Sequence, residues 1–231
     1  MVIYGREPVR EALRGRRAVR RVWATQPAAR ALGPVGVPLE SASRVEIERR
    51  AGSADHQGVC AEVAPYPYAD PAGLLTAPDA LVVALDEVQD PHNLGAVCRV
   101  AECAGAAGVV IPERRSAEVT PAACSASAGA VEHLAVARVR NLADWLASAK
   151  EAGAWVYGAA LDAAVPYDQA DYRGPVVLVL GSEGTGLRPR VAAGCDELVR
   201  LPMRGRIDSL NVSTAAAALI YGALHFRSSG P

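Results

Sequence analysis

The stretch Ala80-Leu-Val-Val-Ala-Leu-Asp86 decides the fold class of this chain. Its apolar residues follow one another without a polar interruption until Asp86 ends the run. Such a run predicts a strand that is buried on both faces, as strands are in a parallel sheet covered by helices. We therefore expect an α/β fold with a mostly parallel sheet.

Strand and helix patterns alternate along the rest of the chain after this run, which is typical of an α/β protein. Apolar segments predict further strands at residues 109–111, 134–139, 155–160 and 176–180. Helices are predicted at residues 94–104, 121–128, 142–151 and 212–226, and Asn141 is the expected cap of the third.

The first 64 residues predict a separate, smaller α/β unit. They contain helix patterns at residues 8–13 and 43–50 and strand patterns at 19–24 and 58–64. A proline-rich run then separates them from the parallel sheet and indicates a linker. We expect a small α/β domain at 1–64, a linker at 65–78 and a second domain at 79–231.

The composition indicates a globular protein with a substantial core, because 51% of the 231 residues are hydrophobic and 21% are charged. The formal net charge of -1 supplies no overall basic field, so binding to nucleic acid requires a local patch. One cluster of arginines is either such a phosphate-contacting patch or a solvated face: Arg14, Arg16, Arg17, Arg20 and Arg21.

Five scattered cysteines without a C-x-x-C pair predict neither a disulfide framework nor a zinc site. They are typical of small buried hydrophobic residues in a reducing compartment. No stretch approaches the roughly 20 apolar residues of a membrane span. We expect a cytoplasmic protein with no membrane partner.

Polar loops follow two of the predicted strands, at residues 86–93 and 181–187, at the end of the sheet where open α/β folds bind ligands, and a third polar loop precedes the last predicted helix. The second loop is Gly181-Ser-Glu-Gly-Thr-Gly-Leu187, whose spacing matches neither a Walker phosphate loop nor the dinucleotide fingerprint. Its glycines allow a ligand to approach the backbone closely, because no Cβ intervenes. The acidic residue Glu183 favours a polar or cationic ligand.

The third loop, Leu201-Pro-Met-Arg-Gly-Arg-Ile-Asp-Ser-Leu-Asn-Val-Ser213, precedes an alanine-rich helix. Asp208, Ser209 and Asn211 are candidate caps for that helix, since their side chains can accept hydrogen bonds from its first turn. Asn93 could likewise be only a cap and Glu183 only a loop carboxylate. Ligand contact is the alternative for these residues.

Three stretches in order, Asn93-Leu-Gly-Ala-Val-Cys-Arg99, 181–187 and 201–213, resemble the motifs of the SpoU (TrmH-like) branch of the SPOUT RNA ribose 2′-O-methyltransferases. The resemblance covers residues 80–226. The segments 3–13 and 56–59 are similar to the substrate-binding domain of the subgroup that methylates a guanosine of 23S ribosomal RNA. The resemblance implies S-adenosylmethionine as cofactor, a C-terminal domain with a trefoil knot, a homodimer and RNA as substrate.

The resemblance also implies roles for individual residues. The catalytic set is Asn93, Arg99, Glu183, Ser209 and Asn211, and the cofactor-binding set is Gly181, Gly184, Gly186, Leu201, Met203 and Leu210. On a helix that begins near Asn93, Arg99 falls within the first two turns, where its guanidinium can clamp an RNA phosphate. A guanidinium is rarely deprotonated, so we expect Arg99 to position the substrate rather than to remove the hydroxyl proton.

Several alternatives remain open at this point. The target could be transfer RNA, or a different ribosomal site as in antibiotic-resistance methyltransferases, and the fold could belong to a catalytically silent RNA-binding protein. Asp86, Asp90 and His92 could be imagined as metal ligands. Methyl transfer from a sulfonium requires no metal, so we expect none.

Overall fold

The structure of the protein, a computed structural model, describes residues 1–228 and forms two β-sheets flanked by helices. The strands are β1 (Val2–Tyr4), β2 (Val19–Ala24), β3 (Leu39–Ser41), β4 (Val59–Val63), β5 (Leu81–Asp86), β6 (Gly108–Pro112), β7 (Val136–Val139), β8 (Trp155–Ala159), β9 (Val165–Pro166), β10 (Val176–Gly181) and β11 (Glu197–Arg200). The α-helices are α1 (Arg6–Arg14), α2 (Gln26–Leu32), α3 (Arg44–Ala51), α4 (Pro91–Cys103), α5 (Pro121–Ala126), α6 (Leu142–Glu151), α7 (Pro189–Gly194) and α8 (Val212–Ser228). Single 3₁₀ turns occur at Ala54–His56, Pro71–Leu75, Ala130–Glu132 and Tyr167–Gln169.

The larger sheet has seven strands in the order β7-β6-β5-β10-β8-β11-β9, and every neighbouring pair is parallel. All six residues of β5 are buried, as the unbroken apolar run predicts. Alternate residues of the central strands face opposite sides of the sheet. Leu81, Val83 and Leu85 pack in the core beneath α4, α5 and α8, whereas Val82 and Ala84 pack with α6 and α7. The predicted α/β class with a parallel sheet is confirmed.

The smaller sheet has the order β1-β4-β2-β3 and is mixed, because β2 pairs parallel with β3 and antiparallel with β4. Its helix α3 begins as predicted at Ser43, whose side chain accepts from the Glu46 backbone while the Glu46 carboxylate accepts from the Ser43 backbone. This reciprocal capping box satisfies two backbone donors of the first turn.

Several short elements were not predicted from the sequence. They are β1, α2, β3, α7, β9 and β11, none longer than seven residues. α2 and α7 each place a proline in the first turn, and β11 has a charged residue at both ends, Glu197 and Arg200. Segments this short carry too few apolar repeats to show a period, so neighbouring strands and packing decide their conformation.

The proline-rich segment 65–78 lies against the larger sheet rather than extending freely from it. The Tyr66 hydroxyl donates to the carbonyls of Val131 and Leu134 at 2.9 and 3.0 Å, and the Tyr68 hydroxyl accepts from the Val119 backbone N–H at 3.0 Å. Leu74 is buried. The segment therefore fixes the path of the chain between the two sheets.

The cysteines only partly match the expectation of buried hydrophobic residues. All five are free thiols, and Cys60, Cys98 and Cys124 are buried, but Cys103 at the end of α4 is exposed. Within residues 1–228, no helix combines the length and the apolar character needed to cross a membrane.

Candidate active site

Three loops leave the larger sheet at the carboxyl ends of its strands. β5 ends at Asp86 directly beside Gly181, the last residue of β10, because these two residues are partners in the parallel register. The loops 87–90 and 182–188 therefore start side by side. The third loop, 201–211, follows β11 and leads into α8.

The buried carboxylate of Asp86 anchors the second loop. It accepts hydrogen bonds from the backbone N–H and the Nε of Arg188, both at 2.8 Å, and Arg188 Nη2 lies 2.6 Å from it. Hydrogen bonding to Asp86 raises the pKa of the Arg188 guanidinium. A buried carboxylate is stable only when paired in this way. This clamp was not predicted, although a single acidic residue that ends a buried strand was visible in the sequence.

Hydrogen bonds among Asn93, Glu183 and Asn211 join the second and third loops to the first turn of α4. Asn93 Nδ2 donates to Glu183 Oε1 at 3.0 Å, and Asn211 Nδ2 donates to the same oxygen at 2.6 Å and to Asn93 Oδ1 at 3.0 Å. The Val212 backbone N–H also points to Glu183 Oε1 at 3.4 Å. We call these three side chains the amide–carboxylate cluster. It brings together one residue from each predicted motif.

Asn93 is not a helix cap. Asp90 occupies that position, accepts from the His92 backbone N–H at 2.8 Å, and is followed by Pro91 at the first helical position. Proline is favoured there because its missing N–H has no helical partner. The Asn93 side chain is consequently free to join the cluster.

Asn211 has both roles that the sequence left open. Its Oδ1 accepts from the backbone N–H of Ser213 at 2.9 Å and from the Ser213 hydroxyl at 2.6 Å, while its carbonyl accepts from Ala215 N. It therefore caps α8 as well as binding Glu183. Ser209 does neither, and its exposed side chain has no hydrogen bond within residues 1–228.

The glycine-rich loop turns back on itself. Ser182 forms a bridge with Gly186, and a Cβ on Gly181 would lie 2.1 Å from the Gly186 carbonyl carbon. Gly181 is thus required by the loop's own close approach. Gly184 and Gly186 have φ values of +84° and +65°, which favour glycine, and no atom lies within 4 Å of a Cβ built on either. Their backbone is open to a ligand.

The remaining predicted cofactor residues lie on the third loop. Leu201 and Met203 are half-buried, while Leu210 is exposed. One exposed and two half-buried apolar side chains, together with the open glycine backbone of the second loop, suit a ligand that has an aromatic base and polar groups, such as S-adenosylmethionine. The residues present therefore fit the expected cofactor.

Arg99 lies outside the amide–carboxylate cluster. α4 starts at Pro91, so Arg99 falls in the third turn of the helix rather than in the first two, which corrects the expectation from sequence. Six residues separate it from Asn93, which places it about 120° around the axis and about 9 Å along it. Its side chain is exposed and has no hydrogen bond or ion pair within residues 1–228.

One of the five N-terminal arginines is misassigned as an RNA contact. Arg17 is buried, with its side chain 1% exposed, and its guanidinium pairs with Glu132, to which Nε donates at 3.1 Å. The prediction is wrong for Arg17 because the residue joins the two sheets inside the protein. Arg14, Arg20 and Arg21 are exposed in ion pairs with Glu11, Glu62 and Glu40, and exposed Arg16 has no hydrogen bond or ion pair with any residue that the structure describes.

Two of the three residues considered as metal ligands, Asp86 and Asp90, have other partners. Asp86 is occupied by Arg188, and Asp90 caps α4. Within residues 1–228, no group of three or more His, Cys, Asp or Glu side chains is arranged to hold a metal ion.

Comparison with known families identifies this arrangement. The family model described as SpoU rRNA Methylase matches residues 80–221, and a model described as RNA 2'-O ribose methyltransferase substrate binding matches residues 2–69. The chain belongs to the SpoU rRNA Methylase family. The predicted resemblance is confirmed, and residues 80–221 form the SpoU methylase domain.

Relatives across bacteria support the assignment to the SpoU family. The chain is 38% identical to an uncharacterized tRNA/rRNA methyltransferase of Synechocystis sp., over 95% of this chain and 61% of that protein. It is 37% identical to a Bacillus subtilis protein assigned to the TrmH family of tRNA/rRNA methyltransferases, over 95% of this chain and 93% of that protein. The chain thus spans less than two thirds of the first relative.

Solved SpoU structures have the same fold. The SpoU methyltransferase AviRb from Streptomyces viridochromogenes, in complex with AdoMet, superposes with a TM-score of 0.85 and 26% identity over 100% of this chain and 91% of that chain. The AdoMet-bound rRNA methyltransferase from Sinorhizobium meliloti gives 0.81 and 28% identity over 97% of this chain and 86% of that chain. The SPOUT-type fold is confirmed, and the knot remains a prediction.

Proposed function

We propose that this chain transfers a methyl group from S-adenosylmethionine to a ribose 2′-hydroxyl of RNA, with a guanosine of 23S ribosomal RNA as the target. The observation that carries the proposal is the amide–carboxylate cluster of Asn93, Glu183 and Asn211. These residues come from three separate motifs, and their hydrogen bonds hold two loops and the start of α4 together at the carboxyl edge of the sheet. A silent RNA-binding protein would have no need of this arrangement.

The donor would be held by the second and third loops, through Gly181, Gly184, Gly186, Leu201, Met203 and Leu210. When bound, S-adenosylmethionine supplies an electrophilic methyl group on a sulfonium. The chain's contribution is to align this methyl group with the hydroxyl. Such alignment makes a bimolecular step effectively unimolecular. Glu183 contributes by fixing both donor-binding loops to α4, rather than by touching the reacting atoms.

The acceptor would be held by Arg99 and Ser209, whose side chains are exposed and have no partner within residues 1–228. The guanidinium of Arg99 binds a phosphate next to the target ribose and stabilises negative charge that develops on the hydroxyl oxygen. Because a guanidinium keeps its proton, the hydroxyl proton leaves to a phosphate oxygen or to water. Asn93 and Asn211 orient the ribose indirectly, because their hydrogen bonds hold the surrounding loops in position.

The RNA itself would be bound mainly by the first domain. We keep the boundaries 1–64 for this domain, 65–78 for the connection and 79–231 for the methyltransferase domain, which agree closely with the two family matches. Arg14, Arg16, Arg20 and Arg21 are its proposed phosphate contacts, without Arg17. The trefoil knot, the homodimer and the cytoplasmic location belong to the same proposal.

Transfer RNA is the second candidate substrate, because the relatives' descriptions mention both tRNA and rRNA. One observation favours ribosomal RNA. A solved tRNA-modifying TrmH/SpoU enzyme of A. aeolicus covers 69% of this chain, whereas the rRNA methyltransferase of Sinorhizobium meliloti covers 97%.

The experiment that tests the proposal maps ribose methylation in RNA from cells with and without the gene. We expect loss of one 2′-O-methyl group in 23S ribosomal RNA, restored by the wild-type chain. Purified chain should methylate an unmodified 23S transcript and leave unmodified transfer RNA unchanged. If the chain methylates only transfer RNA, then transfer RNA and not 23S ribosomal RNA is its target. Donor binding without methylation of either RNA would contradict the proposed activity.

A further inference from the structure

A second feature of the carboxyl edge lies beside the candidate active site and shares Arg188 with it. It is a cleft of about 380 Å³, open to solvent, over the ends of β6 and β7. Five arginines line it, Arg114, Arg115, Arg140, Arg188 and Arg190, and Glu87 is the one acidic residue among its lining. We call it the arginine cleft.

The arginine cleft keeps an excess of positive charge after its ion pairs are counted. Arg188 is neutralised by buried Asp86, and Arg190 pairs with Asp144 at 2.7 Å. Arg115 lies 3.6 Å from Glu87, a loose contact for a side chain that is 77% exposed. Arg114 and Arg140 are exposed and have no hydrogen bond or ion pair within residues 1–228. Two guanidiniums are therefore free to bind an anion.

A helix end and the local backbone add to this arrangement. Asn141, Leu142 and Ala143 line the cleft, and they form the cap and first turn of α6, a helix of ten residues. The amino end of a helix carries partial positive charge and favours phosphate. Glu87 and Arg115 also have φ values of +57° and +56°, which non-glycine residues rarely adopt and which are retained mainly at functional sites.

The arginine cleft is continuous with the candidate active site. Glu183 of the amide–carboxylate cluster and Arg188 of the cleft belong to the same loop and are five residues apart. Their Cα atoms are consequently at most about 18 Å apart. Glu87 of the cleft directly follows Asp86, which anchors that loop. A chain of phosphates could therefore touch both places at once.

We propose that the arginine cleft binds the RNA backbone at a phosphodiester away from the target nucleotide, with Arg114 and Arg140 as its contacts. The inference rests on the proposed function, since it names a second contact for the same substrate. The guanidinium fork matches two oxygens of one phosphodiester, which a planar bidentate donor recognises well. Contacts of this type position the RNA and do not read its sequence.

The test compares the Arg114→Ala, Arg140→Ala double variant with the wild-type chain and with Arg173→Ala. Arg173 is also an exposed arginine, lies just before the amino end of β10, on the opposite edge of the sheet, and pairs with Asp171. Affinity for a 23S ribosomal RNA transcript is measured by filter binding over a range of salt concentrations. Binding of S-adenosylmethionine is measured by calorimetry.

We expect the double variant to bind the transcript on the order of tenfold more weakly at 0.1 M salt. Its plot of log affinity against log salt should be shallower by about 1.4 to 1.8, the value for two lost phosphate contacts. Donor affinity and thermal stability should not change, because neither arginine has a hydrogen bond or ion pair within the described residues 1–228. Arg173→Ala should behave as wild type.

The two proposals fail in different ways. A wild-type chain that binds the donor but neither binds nor methylates RNA would overturn the proposed function and this inference together. A wild-type chain that methylates RNA, with equal affinity and salt slope in the double variant, would overturn the inference alone. If the double variant keeps the wild-type RNA affinity and salt slope while inorganic phosphate binds the wild type in calorimetry, the cleft is a site for a free anion and the inference is overturned.

Discussion

Gly184 is the residue whose backbone conformation matters most for donor binding. With a φ of +84° and open space around it, the residue gives the loop a shape that a β-branched side chain cannot adopt without strain. Gly184→Val should cost about 1 to 3 kcal/mol in that conformation and raise the Kd for S-adenosylmethionine by roughly fivefold or more. Calorimetry measures this. Gly36→Val, at a glycine with open surroundings and no positive φ, is the matched control, and an unchanged Kd in Gly184→Val would argue against the glycine-loop site.

Arg99 lies in the third turn of α4, and its exposed side chain has no hydrogen bond or ion pair with any described residue. We expect Arg99→Ala to abolish methylation while donor affinity and stability remain at wild-type values, since only RNA is assigned to this side chain. Arg99→Lys should recover little activity, because an ammonium cannot form the bidentate contact. Radiolabel transfer and calorimetry separate the two effects, and weakened donor binding in Arg99→Ala would move the residue into the donor site.

At the scale of the element, α8 is held to the rest of the site through its first turn. Glu183 Oε1 accepts from Asn93, from Asn211 and from the Val212 backbone N–H. A carboxylate at this end of α8 is also favoured by the helix dipole. The loops 182–188 and 201–211 are thus connected through Glu183, so a substitution in one loop should also alter the conformation of the other.

Glu183→Ala should therefore raise the donor Kd, slow methylation and lower the free energy of unfolding by about 1 kcal/mol. Glu183→Gln keeps an acceptor oxygen and should lie between Ala and wild type in all three measurements. Steady-state kinetics, calorimetry and urea unfolding give these quantities. Equal losses of kcat in both variants, with donor affinity intact, would show that the carboxylate acts on the reacting atoms.

At the scale of the whole molecule, the buried pair of Arg17 and Glu132 fastens the small sheet to the large one. Removing one partner of a buried ion pair leaves an uncompensated charge, so Arg17→Ala should cost about 3 to 5 kcal/mol in urea unfolding. Arg20→Ala, which breaks an exposed pair with Glu62, should cost less than about 1 kcal/mol. The double variant Arg17→Met, Glu132→Leu should regain most of the loss. If Arg17→Ala and Arg20→Ala lower the free energy of unfolding equally, the buried pair contributes no more to stability than the exposed one.

The core also makes stability depend on alkaline pH. Burial raises the pKa of Cys98 to about 12 and of Cys60 and Cys124 to about 11, from an ordinary value of 9.0. Because the folded pKa values are raised, this stability is complete below pH 9 and is lost as pH rises toward 11 and 12. The free energy of unfolding should fall by on the order of 1 kcal/mol per buried thiol between pH 8 and pH 10.

Urea unfolding at the two pH values measures this dependence. Cys103→Ala is the matched control, since Cys103 is exposed, and it should show the same decline as wild type. Replacement of Cys98 by Ala should make the decline smaller. A stability that does not change between pH 8 and pH 10 would contradict the burial of these thiols.

The sequence by itself determined the class of the fold and the positions of its polar loops. The run at residues 80–85, the caps Ser43 and Asn141 and the glycine loop are local patterns, and each specifies its own segment because burial period and backbone preference act over a few residues. The motif residues could be assigned in the same way, by resemblance of short stretches.

Only the tertiary structure decided which side chains meet. Asn93 and Asn211 are 118 residues apart, and the arginine cleft draws on segments near residues 114, 140 and 188 that share no sequence pattern. The same applies to Arg17, which has the sequence context of a surface arginine and is buried against Glu132. Strand order, register and the packing of the two sheets determine such contacts, and all three depend on interactions along the whole chain. Hydrophobic periodicity, in contrast, is a local property of the sequence of each element.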